Sequence, residues 1–428
     1  MDTIFAQATA SGRAGVSIVR LSGVHSHSVA SQLCNVPEAG RSGLRSLKAL
    51  DGSLIDKALV LFFEAGASFT GEQVTEFHVH GGLATVAKLL SELSAFDGCR
   101  LAIPGEFTRR ALENGQLDLN QVEALSDLID AETESQRQQA IHVLDGAFGV
   151  LGEAWRGDLV RAVALVEASI DFSDEEIPDD LYLEVADLVG KTIVSITSVL
   201  DRSSIASKIR SGFTVAIVGR PNVGKSTLLN AIVGRQAAIT SDVAGTTRDV
   251  IEARVDLKGL AVTFLDTAGL RKSNDKVENL GISMAYERSD AADIRIFLID
   301  RDDDVLPFPT RPNDFVVASK SDLHSKGCLS VSGKTGEGIP ELLNLIAKRL
   351  LNKTSLDVVA IRERQTNGLR SASELLLSVV ALIDQRPLPF ELASQELYFA
   401  LSELDFVFGK IDIEAVLDEI FSSFCLGK

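Results

Sequence analysis

Residues 213–234 read FTVAIVGRPNVGKSTLLNAIVG, and they decide the fold of the middle of the chain. The apolar run FTVAIVG is typical of a buried β-strand, and STLLNAIVG is typical of a helix. Between them, Gly219, Gly224, Lys225 and Ser226 have the spacing G-x-x-x-x-G-K-S of a phosphate-binding loop. A glycine-rich turn from a strand into a helix directs backbone N–H groups at phosphates. The sequence therefore predicts a nucleotide-binding α/β domain near the middle of the chain.

Length and composition indicate a multidomain globular protein. The chain has 428 residues, of which 45% are hydrophobic and 24% charged, and its formal net charge is -18. A chain of this length is expected to form about three domains. Because nucleic-acid binding relies on basic surface, any contact with RNA is expected to be local or shared with a partner, and DNA is not expected. Neither a membrane span nor a secretion signal is recognisable, so a cytoplasmic location is expected.

The order of patterns along the chain predicts an insertion. Residues 1–117 mix short apolar strands with glycines, as in KALVLFFEAG and EFHVHGG, and indicate an α+β domain. Helical spacing follows over 118–210, strand and helix alternate over 211–353, and helical patterns return over 354–428. In the first helical part, one face is predicted to carry Val122, Leu125, Leu128 and Ile129. The simplest arrangement is an α/β domain inserted between two parts of one helical domain.

Motifs after the phosphate loop predict how a nucleoside triphosphate is held. Lys225 is expected to reach the outer phosphates, and the Ser226 hydroxyl is expected to ligate Mg²⁺. The apolar strand VTFLD ends on Asp266, which is placed to hold Mg²⁺ through water, with the Gly269 amide near the γ-phosphate. Thr247, in GTTRD, would complete the metal shell when its loop closes over the triphosphate. This loop is therefore predicted to be a switch.

The expected base is guanine. SKSD at 319–322 follows the strand DFVVA, and both it and VSGKTGEG at 331–338 resemble base-recognition elements of GTPases. Asp322 can accept both hydrogen bonds from the N–H edge of guanine, a pattern that adenine does not offer. Ser319 stands where Asn is usual, and the lost hydrogen bond costs about 1 kcal/mol, so guanine binding is expected to be weakened but kept. The predicted GTP-binding residues are Asn222, Val223, Gly224, Lys225, Ser226, Thr227, Ser241, Asp242, Val243, Ala244, Gly245, Thr246, Thr247, Asp266, Thr267, Ala268, Gly269, Ser319, Lys320, Ser321, Asp322, Ser332, Gly333 and Lys334.

The sequence departs from the usual GTPase pattern at two places, of which one concerns hydrolysis and the other the shape of the domain. In many GTPases the residue after DTAG is a Gln that orients water, but here it is Leu270, which cannot do so. Another group is therefore expected to orient the water. The segment DRDDDVLPFPTRPND at 300–314 is short for the helix usually found there. That side of the domain is predicted to be trimmed.

Four motifs outside the GTPase segment indicate a particular family of GTPases. These are DTIFAQATASGRAGVSIVRLSG at 2–23, SFTGEQVTEFHVHGG at 68–82, PGEFTRRALENGQLDLNQVEALSDLIDA at 104–131 and the terminal FCLGK. All of them resemble one family, the tRNA modification GTPases MnmE, also called TrmE. The resemblance covers essentially the whole chain. It implies a homodimer with an N-terminal folate-binding domain and a helical domain that is interrupted by the P-loop GTPase domain.

The resemblance also implies a potassium site. Asn222 would be a potassium ligand, and the switch loop would wrap the ion through Ser241, Val243 and Thr246. A fixed cation beside the phosphates opposes the charge that develops in the transition state, as an arginine finger does. Dimerising GTPase domains would close this loop, and Glu278 would position the water in place of the missing Gln. The implied catalytic residues are Glu278, Lys225, Thr247 and Gly269.

The implied reaction needs a partner that carries FAD, of the MnmG (GidA) family, in a heterotetramer. A one-carbon unit from methylenetetrahydrofolate is placed on the wobble uridine of certain tRNAs, and ammonium or glycine completes an aminomethyl-type group such as carboxymethylaminomethyl. Folate contacts map to Arg20, Glu76 and Lys428, whereas a further basic contact falls on Gln116. Cys425 reads by default as a buried inert thiol, but its place in the terminal motif makes it a candidate for a chemical role.

Two alternatives stay open. A GTP-dependent switch could bind RNA or ribosomes without modification chemistry, but such proteins usually carry a basic RNA-binding module, and none is evident in the sequence. A folate-dependent enzyme that has lost efficient GTP turnover is the second alternative, suggested by Ser319 and the short segment at 300–314. Folate binding by the purified chain would separate the modification enzyme from the switch.

Overall fold

The molecule forms two compact units in the computed structural model. The first joins Met1–Ser126 to Leu404–Lys428, and the second is Asp127–Glu403. Both ends of the chain therefore belong to one unit, and the phosphate loop belongs to the other. The structure describes residues 2–171, 179–236, 252–266, 287–300, 306–323, 329–351, 362–383, 385, 389–411, 417, 420, 421, 424 and 427.

The first unit is built on a six-stranded sheet. Its strands are β1 (Thr3–Gln7), β2 (Ala14–Ser22), β3 (Ser42–Lys48), β4 (Leu54–Phe63), β5 (Val74–Gly81) and β6 (Cys99–Leu101). Their order in the sheet is β3-β4-β5-β2-β1-β6. β1 and β6 are parallel, and the other neighbours are antiparallel. Burial alternates along β4, so that one face of the sheet packs on the core.

Helices α1 (Ser26–Leu33), α2 (Leu83–Ser94) and α3 (Glu106–Glu113) complete the α+β domain predicted for the N-terminal part, and α4 (Leu119–Ile129) follows them. α2 buries Val86, Leu89 and Leu93 against the sheet, with the spacing expected for one helix face. Of the residues predicted to share one face of α4, Val122 is buried, whereas Ile129 is 40% exposed. Ile129 is the last residue of that helix.

The second unit holds another six-stranded sheet, which is mostly parallel. Its strands are β7 (Phe213–Gly219), β8 (Glu252–Leu257), β9 (Leu260–Asp266), β10 (Ile294–Ile299), β11 (Phe315–Ser319) and β12 (Ser330–Val331). The order is β12-β11-β10-β7-β9-β8, in which β8 and β9 are antiparallel. Because β7, β9 and β11 run in the same direction, Gly219, Asp266 and Ser319 end their strands at one edge of the sheet. Ligands bind at this edge in open α/β sheets.

Further helices precede, interrupt and follow the strands of this sheet along the sequence. They are α5 (Glu134–Leu144), α6 (Ala147–Asp171), α7 (Asp179–Ser211), α8 (Lys225–Val233), α9 (Ile339–Leu351), α10 (Glu363–Ile383) and α11 (Phe390–Val407). α7 precedes the sheet and packs on α6, and it also packs on α10, which follows the sheet. The α/β domain is therefore inserted into a helical domain, as predicted. The boundaries at 117, 210 and 353 stay predictions.

The connection between β10 and β11 is short, in agreement with the predicted trimming. Its described residues, 306–314, contain no helix. A buried ion pair fastens it, because Arg295 Nη2 donates a 2.6 Å hydrogen bond to Asp314 and their side chains are 3% and 1% exposed. The Arg295 guanidinium lies 5.3 Å from the ring centroid of Phe297 and 5.0 Å from that of Phe308. Charge and aromatic packing thus close the face that a helix would otherwise cover.

Candidate functional site

The predicted phosphate loop connects β7 to α8. Its backbone enters the left-handed region at Asn222 (φ 63°) and at Gly224 (φ 109°), which is the N-cap of α8. Gly219 is needed for a different reason, since a Cβ added there would lie 2.5 Å from the carbonyl oxygen of Leu298 on β10. The glycines and Asn222 therefore permit a tight turn that opens onto a helix N-terminus.

Lys225 holds a positive charge inside this loop. Its side chain is buried, and Nζ donates hydrogen bonds of 2.8 Å to the carbonyl oxygens of Gly219 and Arg220. These loop carbonyls compensate the cost of burying an ammonium group. The lysine is thus fixed at the loop that the sequence predicts for phosphate binding.

Ser226 and Asp266 meet at the edge of the sheet. β7 and β9 are neighbours, Ile217 pairs with Asp266, and the Ser226 hydroxyl donates a hydrogen bond to Oδ2 of Asp266. Asp266 is only 3% exposed. Hydroxyl and carboxylate oxygens fit Mg²⁺, which also takes phosphate and water ligands. Within the described ranges, no group of three or more His, Cys, Asp or Glu residues could hold a metal ion.

The base-recognition segment follows β11. Lys320 turns the chain with φ 59°, and its Nζ donates a 3.1 Å hydrogen bond to Asp300. The carboxylate of Asp322 accepts a 2.7 Å hydrogen bond from the Ser332 hydroxyl. This hydrogen bond, together with the nearby charge of Lys334, holds the pKa of Asp322 below its usual range. An ionised Asp322 is the form that can accept both guanine N–H groups.

The loop at 332–338 supports this aspartate and adjoins the phosphate loop. The Ser332 amide donates to the Glu337 carbonyl at 2.9 Å, and the Ser321 hydroxyl donates to the Glu337 carboxylate at 3.1 Å. A Cβ added at Gly333 would lie 2.9 Å from the amide nitrogen of Leu228, near the start of α8. The base and phosphate segments are thus in contact at one edge of the sheet. The sequence reasoning missed Glu337, which no motif spacing identifies.

Ser319 is the unusual member of this site. It is 6% exposed, and its Oγ has no hydrogen-bond partner among the residues that the structure describes. Leaving a buried hydroxyl without a partner costs about 1–3 kcal/mol. A partner for this hydroxyl would have to come from outside the described residues.

The structure brings together two of the predicted folate contacts. Arg20 on β2 and Glu76 on β5 are cross-strand partners, and Arg20 Nε donates a 2.8 Å hydrogen bond to Glu76. The Arg20 guanidinium also lies 5.5 Å from the ring centroid of Phe69 and 5.6 Å from that of Phe107. A second Glu76 oxygen lies 3.2 Å from Nε2 of His78. These residues form a partly buried charged group with aromatic walls.

Gln116 and the C-terminal motif lie beside the same strands. A Cβ added at Gly71 would lie 3.3 Å from Nε2 of Gln116, which places Gln116 against the loop that carries Phe69. A Cβ added at Gly427 would lie 2.2 Å from the Gln7 carbonyl oxygen, at the end of β1. The preceding residue of β1 pairs with Arg20. The terminal motif therefore reaches the strand pair that carries Arg20.

Several predicted site residues lie outside the described residues. In the GTPase domain these are residues 241–247, residues 267–269, and Glu278. They include the switch loop, three of the four predicted potassium ligands and the predicted substitute for the missing Gln. Cys425 and Lys428 of the terminal motif lie outside them as well. Their roles stay predictions.

The sheet edge joins a loop with the phosphate-binding spacing to a loop whose aspartate is predicted to recognise guanine, and this combination is typical of P-loop GTPases. Two family models match this chain and identify a narrower class. One described as the MnmE helical domain matches residues 119–425, and one described as the GTP-binding protein TrmE N-terminus matches residues 3–116. The chain belongs to the MnmE family of tRNA modification GTPases.

Individual relatives match over their full length. A tRNA modification GTPase MnmE of Roseobacter denitrificans is 51% identical over 429 residues, and one of Cereibacter sphaeroides is 51% identical over 430, with 100% of both chains covered in each case. Among solved structures, Era of Aquifex aeolicus bound to GDP and aluminium fluoride is 25% identical, with a TM-score of 0.26. That match covers 38% of this chain and 66% of Era. Over the described residues, no helix is long and apolar enough to span a bilayer.

Proposed function

We propose that this protein is a potassium-activated GTPase that takes part in folate-dependent modification of the wobble uridine of certain tRNAs. The observation that carries the proposal is the conformation of the phosphate loop, where Asn222 adopts the left-handed backbone three residues before Lys225. Its side chain is exposed, so its amide oxygen is accessible to a cation beside the phosphates. Leu270 cannot orient water, which leaves a need for such a cation in hydrolysis.

GTP would be bound by the residues of both loops, with each group in a stated role. Lys225 would exchange its contacts with loop carbonyls for the outer phosphates. Ser226 and Asp266 would hold Mg²⁺, which neutralises charge on the phosphates when it is bound. Asp322, oriented by Ser332, would select guanine. These roles are supported by the burial of Lys225 and Asp266 and by the hydrogen bonds of all four side chains.

Potassium would act on the developing charge of the transition state. Asn222 would supply one ligand, and Ser241, Val243 and Thr246 would supply the others when the switch loop closes in a dimer. Glu278 would then position the attacking water, near Thr247 and Gly269. A cation held in this way replaces the charge of an arginine finger without a residue from another protein.

A folate derivative would be held in the N-terminal domain. Arg20 and Glu76 offer a cation and an anion, and the rings of Phe69 and Phe107 lie near the Arg20 guanidinium, which suits a flat heterocycle with polar edges. Gln116 and Lys428 would complete the site, and Cys425 is a candidate for a chemical role. The homodimer would work in the cytoplasm with a partner that carries FAD, of the MnmG family, and with tRNA.

The test compares GTP hydrolysis by the purified protein in K⁺ and in Na⁺ at equal ionic strength, over a range of protein concentrations. We expect specific activity to rise with K⁺ and with concentration. Asn222→Ala should lower the activity in K⁺ by about 10²–10³-fold, the usual effect of removing one transition-state contact. Asn230→Ala is the matched control, because Asn230 is an exposed asparagine on α8, outside the loop.

Each other outcome has a clear meaning. Equal slow rates in both salts would reject potassium activation and favour a folate enzyme without efficient GTP turnover. Potassium-dependent hydrolysis without any binding of 5-formyltetrahydrofolate would favour a GTP-dependent switch that acts on RNA or ribosomes. Loss of activity in both asparagine variants would mean that Asn222 acts on folding rather than on the cation.

A further inference from the structure

A buried ion pair joins two motifs of the N-terminal domain, and the proposed folate site does not yet use it. Arg110 belongs to PGEFTRRALENG and Glu72 to SFTGEQ. Arg110 Nη1 donates 3.1 Å hydrogen bonds to both carboxylate oxygens of Glu72, and the two side chains are 6% and 11% exposed. Because burying two charges costs free energy, such a pair is weak evidence for stability alone. It is explained best by the arrangement of the chain that it fixes.

Glu72 connects this pair to the loop before β5. The Ser22 hydroxyl donates a 2.7 Å hydrogen bond to Glu72 and lies 2.7 Å from the hydroxyl of Thr70. Ser22 and Thr70 are completely buried. Because Ser22 has a single hydroxyl hydrogen, Thr70 is the donor in the second contact. These hydrogen bonds link Glu72 to Thr70, which is the neighbour of Phe69 in the chain.

Arg110 connects the pair to α3. Phe107 lies three residues before Arg110 and therefore on the same side of this helix. At the end of α3, Nδ2 of Asn114 donates a 2.7 Å hydrogen bond to the Thr70 carbonyl oxygen. A Cβ added at Gly71 would lie 3.0 Å from the Asn114 Cβ. The loop is thus held against α3 at two points, one of which is the ion pair.

The two aromatic rings near Arg20 come from these two elements. The rings of Phe69 on the loop and Phe107 on α3 have their centroids 5.5 Å and 5.6 Å from the Arg20 guanidinium. Their arrangement depends on how the loop is held against the helix. We propose that Arg110 is a positioning residue for the proposed folate site, acting through Glu72 on the loop that carries Phe69. The inference rests on the proposed folate binding and adds the residue that sets the shape of the site.

Arg100 offers a matched comparison, because it shares two carboxylates with Arg110. Both arginines bind Asp2 and Glu106. Of the two, only Arg110 binds Glu72 among the contacts that the structure describes. A general effect of the buried charges would therefore appear in variants of either arginine, whereas an effect on the loop would appear in Arg110 variants alone.

The test is a double-mutant cycle of folate binding. The affinity for 5-formyltetrahydrofolate is measured by calorimetry for wild type, Arg110→Lys, Phe69→Leu and the double variant. Lysine keeps the charge but lacks the planar fork that binds several carboxylates at once. Each single change should weaken binding by about fivefold, the value of one aromatic contact. The double variant should also lose about fivefold, because both changes remove the contribution of the same ring.

Arg100→Lys is the control, and its folate affinity should stay within about twofold of wild type. An equal loss in Arg100→Lys and Arg110→Lys would overturn the positioning role, since it would show a general effect of the buried charges. Effects that multiply to about 25-fold in the double variant, or an Arg110→Lys variant that binds folate as wild type does, would overturn it as well.

Glu72→Gln tests the same link if Arg110→Lys does not fold. The amide keeps the shape of the side chain and can still accept the Ser22 hydrogen bond, but it loses the charge that Arg110 binds. It should weaken folate binding by about fivefold in the wild-type background and by no more than about twofold in Phe69→Leu. A full effect of Glu72→Gln in both backgrounds would overturn the role.

The outcomes also separate this role from the function on which it rests. If wild type does not bind 5-formyltetrahydrofolate, the folate site is wrong, and the positioning role falls with it. If wild type binds it and the changes at Arg110 and Phe69 act independently, the folate site stands and the positioning role alone is wrong.

Discussion

The hydroxyl of Ser332 donates a 2.7 Å hydrogen bond to the carboxylate of Asp322, across two loops that the sequence separates by the strand β12. The same hydrogen bond is the largest cause of the lowered pKa of Asp322. One contact thus orients the carboxylate and favours its ionised form, and the proposed recognition of guanine would depend on both properties.

Asp322→Asn should change the base preference of the site from guanine to xanthine. An amide offers one donor and one acceptor, which match the N1–H and the 2-oxo group of xanthine but not the two N–H donors of guanine. GTP affinity should fall by roughly 10–100-fold and affinity for xanthosine triphosphate should rise, as measured by competition with a fluorescent nucleotide. Asp145→Asn is an exposed control at the end of α5 and should change neither affinity. If the affinities for GTP and for xanthosine triphosphate fall equally, Asp322 does not recognise the base.

Ser332→Ala should shift the pH dependence of nucleotide binding. The lowered pKa keeps Asp322 charged as pH falls below the usual range of an aspartate, so wild type should keep its GDP affinity there. Without the Ser332 hydrogen bond the pKa should rise, and affinity should begin to fall at a higher pH. Titrations of GDP binding between about pH 3 and pH 6 would show this displacement. If GDP affinity falls at the same pH in wild type and in Ser332→Ala, Ser332 does not act through the charge of Asp322.

Ser226→Ala should remove the effect of Mg²⁺ on nucleotide binding. The Ser226 hydroxyl and the buried Asp266 are in contact at the end of β9, so one metal ion would use both. GDP affinity in EDTA should stay within about twofold of wild type, because the phosphate loop is unchanged, whereas the gain produced by Mg²⁺ should be lost. Calorimetric titration with and without Mg²⁺ measures both. If the variant keeps the full gain in GDP affinity from Mg²⁺, Ser226 is not a ligand of the metal.

The local parts of this site were predictable from sequence. FTVAIVG becomes β7 and KSTLLNAIV becomes α8, because apolar periodicity and glycine spacing act over a few residues. The inserted domain was also predictable, since helical patterns resume after residue 353. These features depend on neighbours in sequence, and a single sequence contains that information.

Contacts between distant segments were not predictable in the same way. Glu337 supports the base loop through Ser321 and Ser332, and Asp300 binds Lys320, but sheet order and loop conformation decide these pairings. Sequence spacing likewise does not tell that the buried Ser319 hydroxyl has no hydrogen-bond partner among the residues that the structure describes. Ile129 satisfies the helical spacing of α4 and is nevertheless exposed, because spacing does not tell where the packed part of a helix ends.

Asp314→Asn should destabilise the GTPase domain strongly. Its carboxylate pairs with Arg295 at 2.6 Å, and both side chains are almost fully buried. Removing one partner of a buried ion pair typically costs about 3–5 kcal/mol. Urea unfolding followed by loss of nucleotide binding would measure the effect. Asp187→Asn, at the exposed Lys191 pair of α7, is the control and should cost about 1 kcal/mol or less.

The Arg295 pair also predicts a pH dependence of stability. Hydrogen bonds and charge from Arg295 hold the pKa of Asp314 below its usual value, against the opposing effect of burial. A carboxylate with a lowered folded-state pKa contributes stability above its unfolded-state pKa, and loses it as pH falls through the folded-state pKa. The stability difference between wild type and Asp314→Asn should therefore be full near neutral pH and shrink in acid. A difference that stays constant down to about pH 3 would contradict a role for the charge.

Arg20→Met should separate folate binding from GTP hydrolysis. Arg20 is partly buried, pairs with Glu76 at 2.8 Å and faces two aromatic rings, so it is the charged group on which a folate would depend. Loss of a charged hydrogen bond should weaken binding of 5-formyltetrahydrofolate by about 10–100-fold. GTP hydrolysis should stay near the wild-type rate, because the nucleotide loops belong to the other compact unit.

Arg109→Met is the matched control for Arg20. Arg109 lies on α3 and pairs with Glu113 one helical turn away, a partly exposed pair on the surface. It should leave folate affinity unchanged, as measured by fluorescence or calorimetry. Equal affinities in wild type and Arg20→Met would remove Arg20 from the folate site, and equal loss in both arginine variants would indicate a general effect on the fold. Loss in Arg20→Met alone, with hydrolysis retained, would assign folate to the sheet of the N-terminal domain, where Glu76 would be the next residue to change.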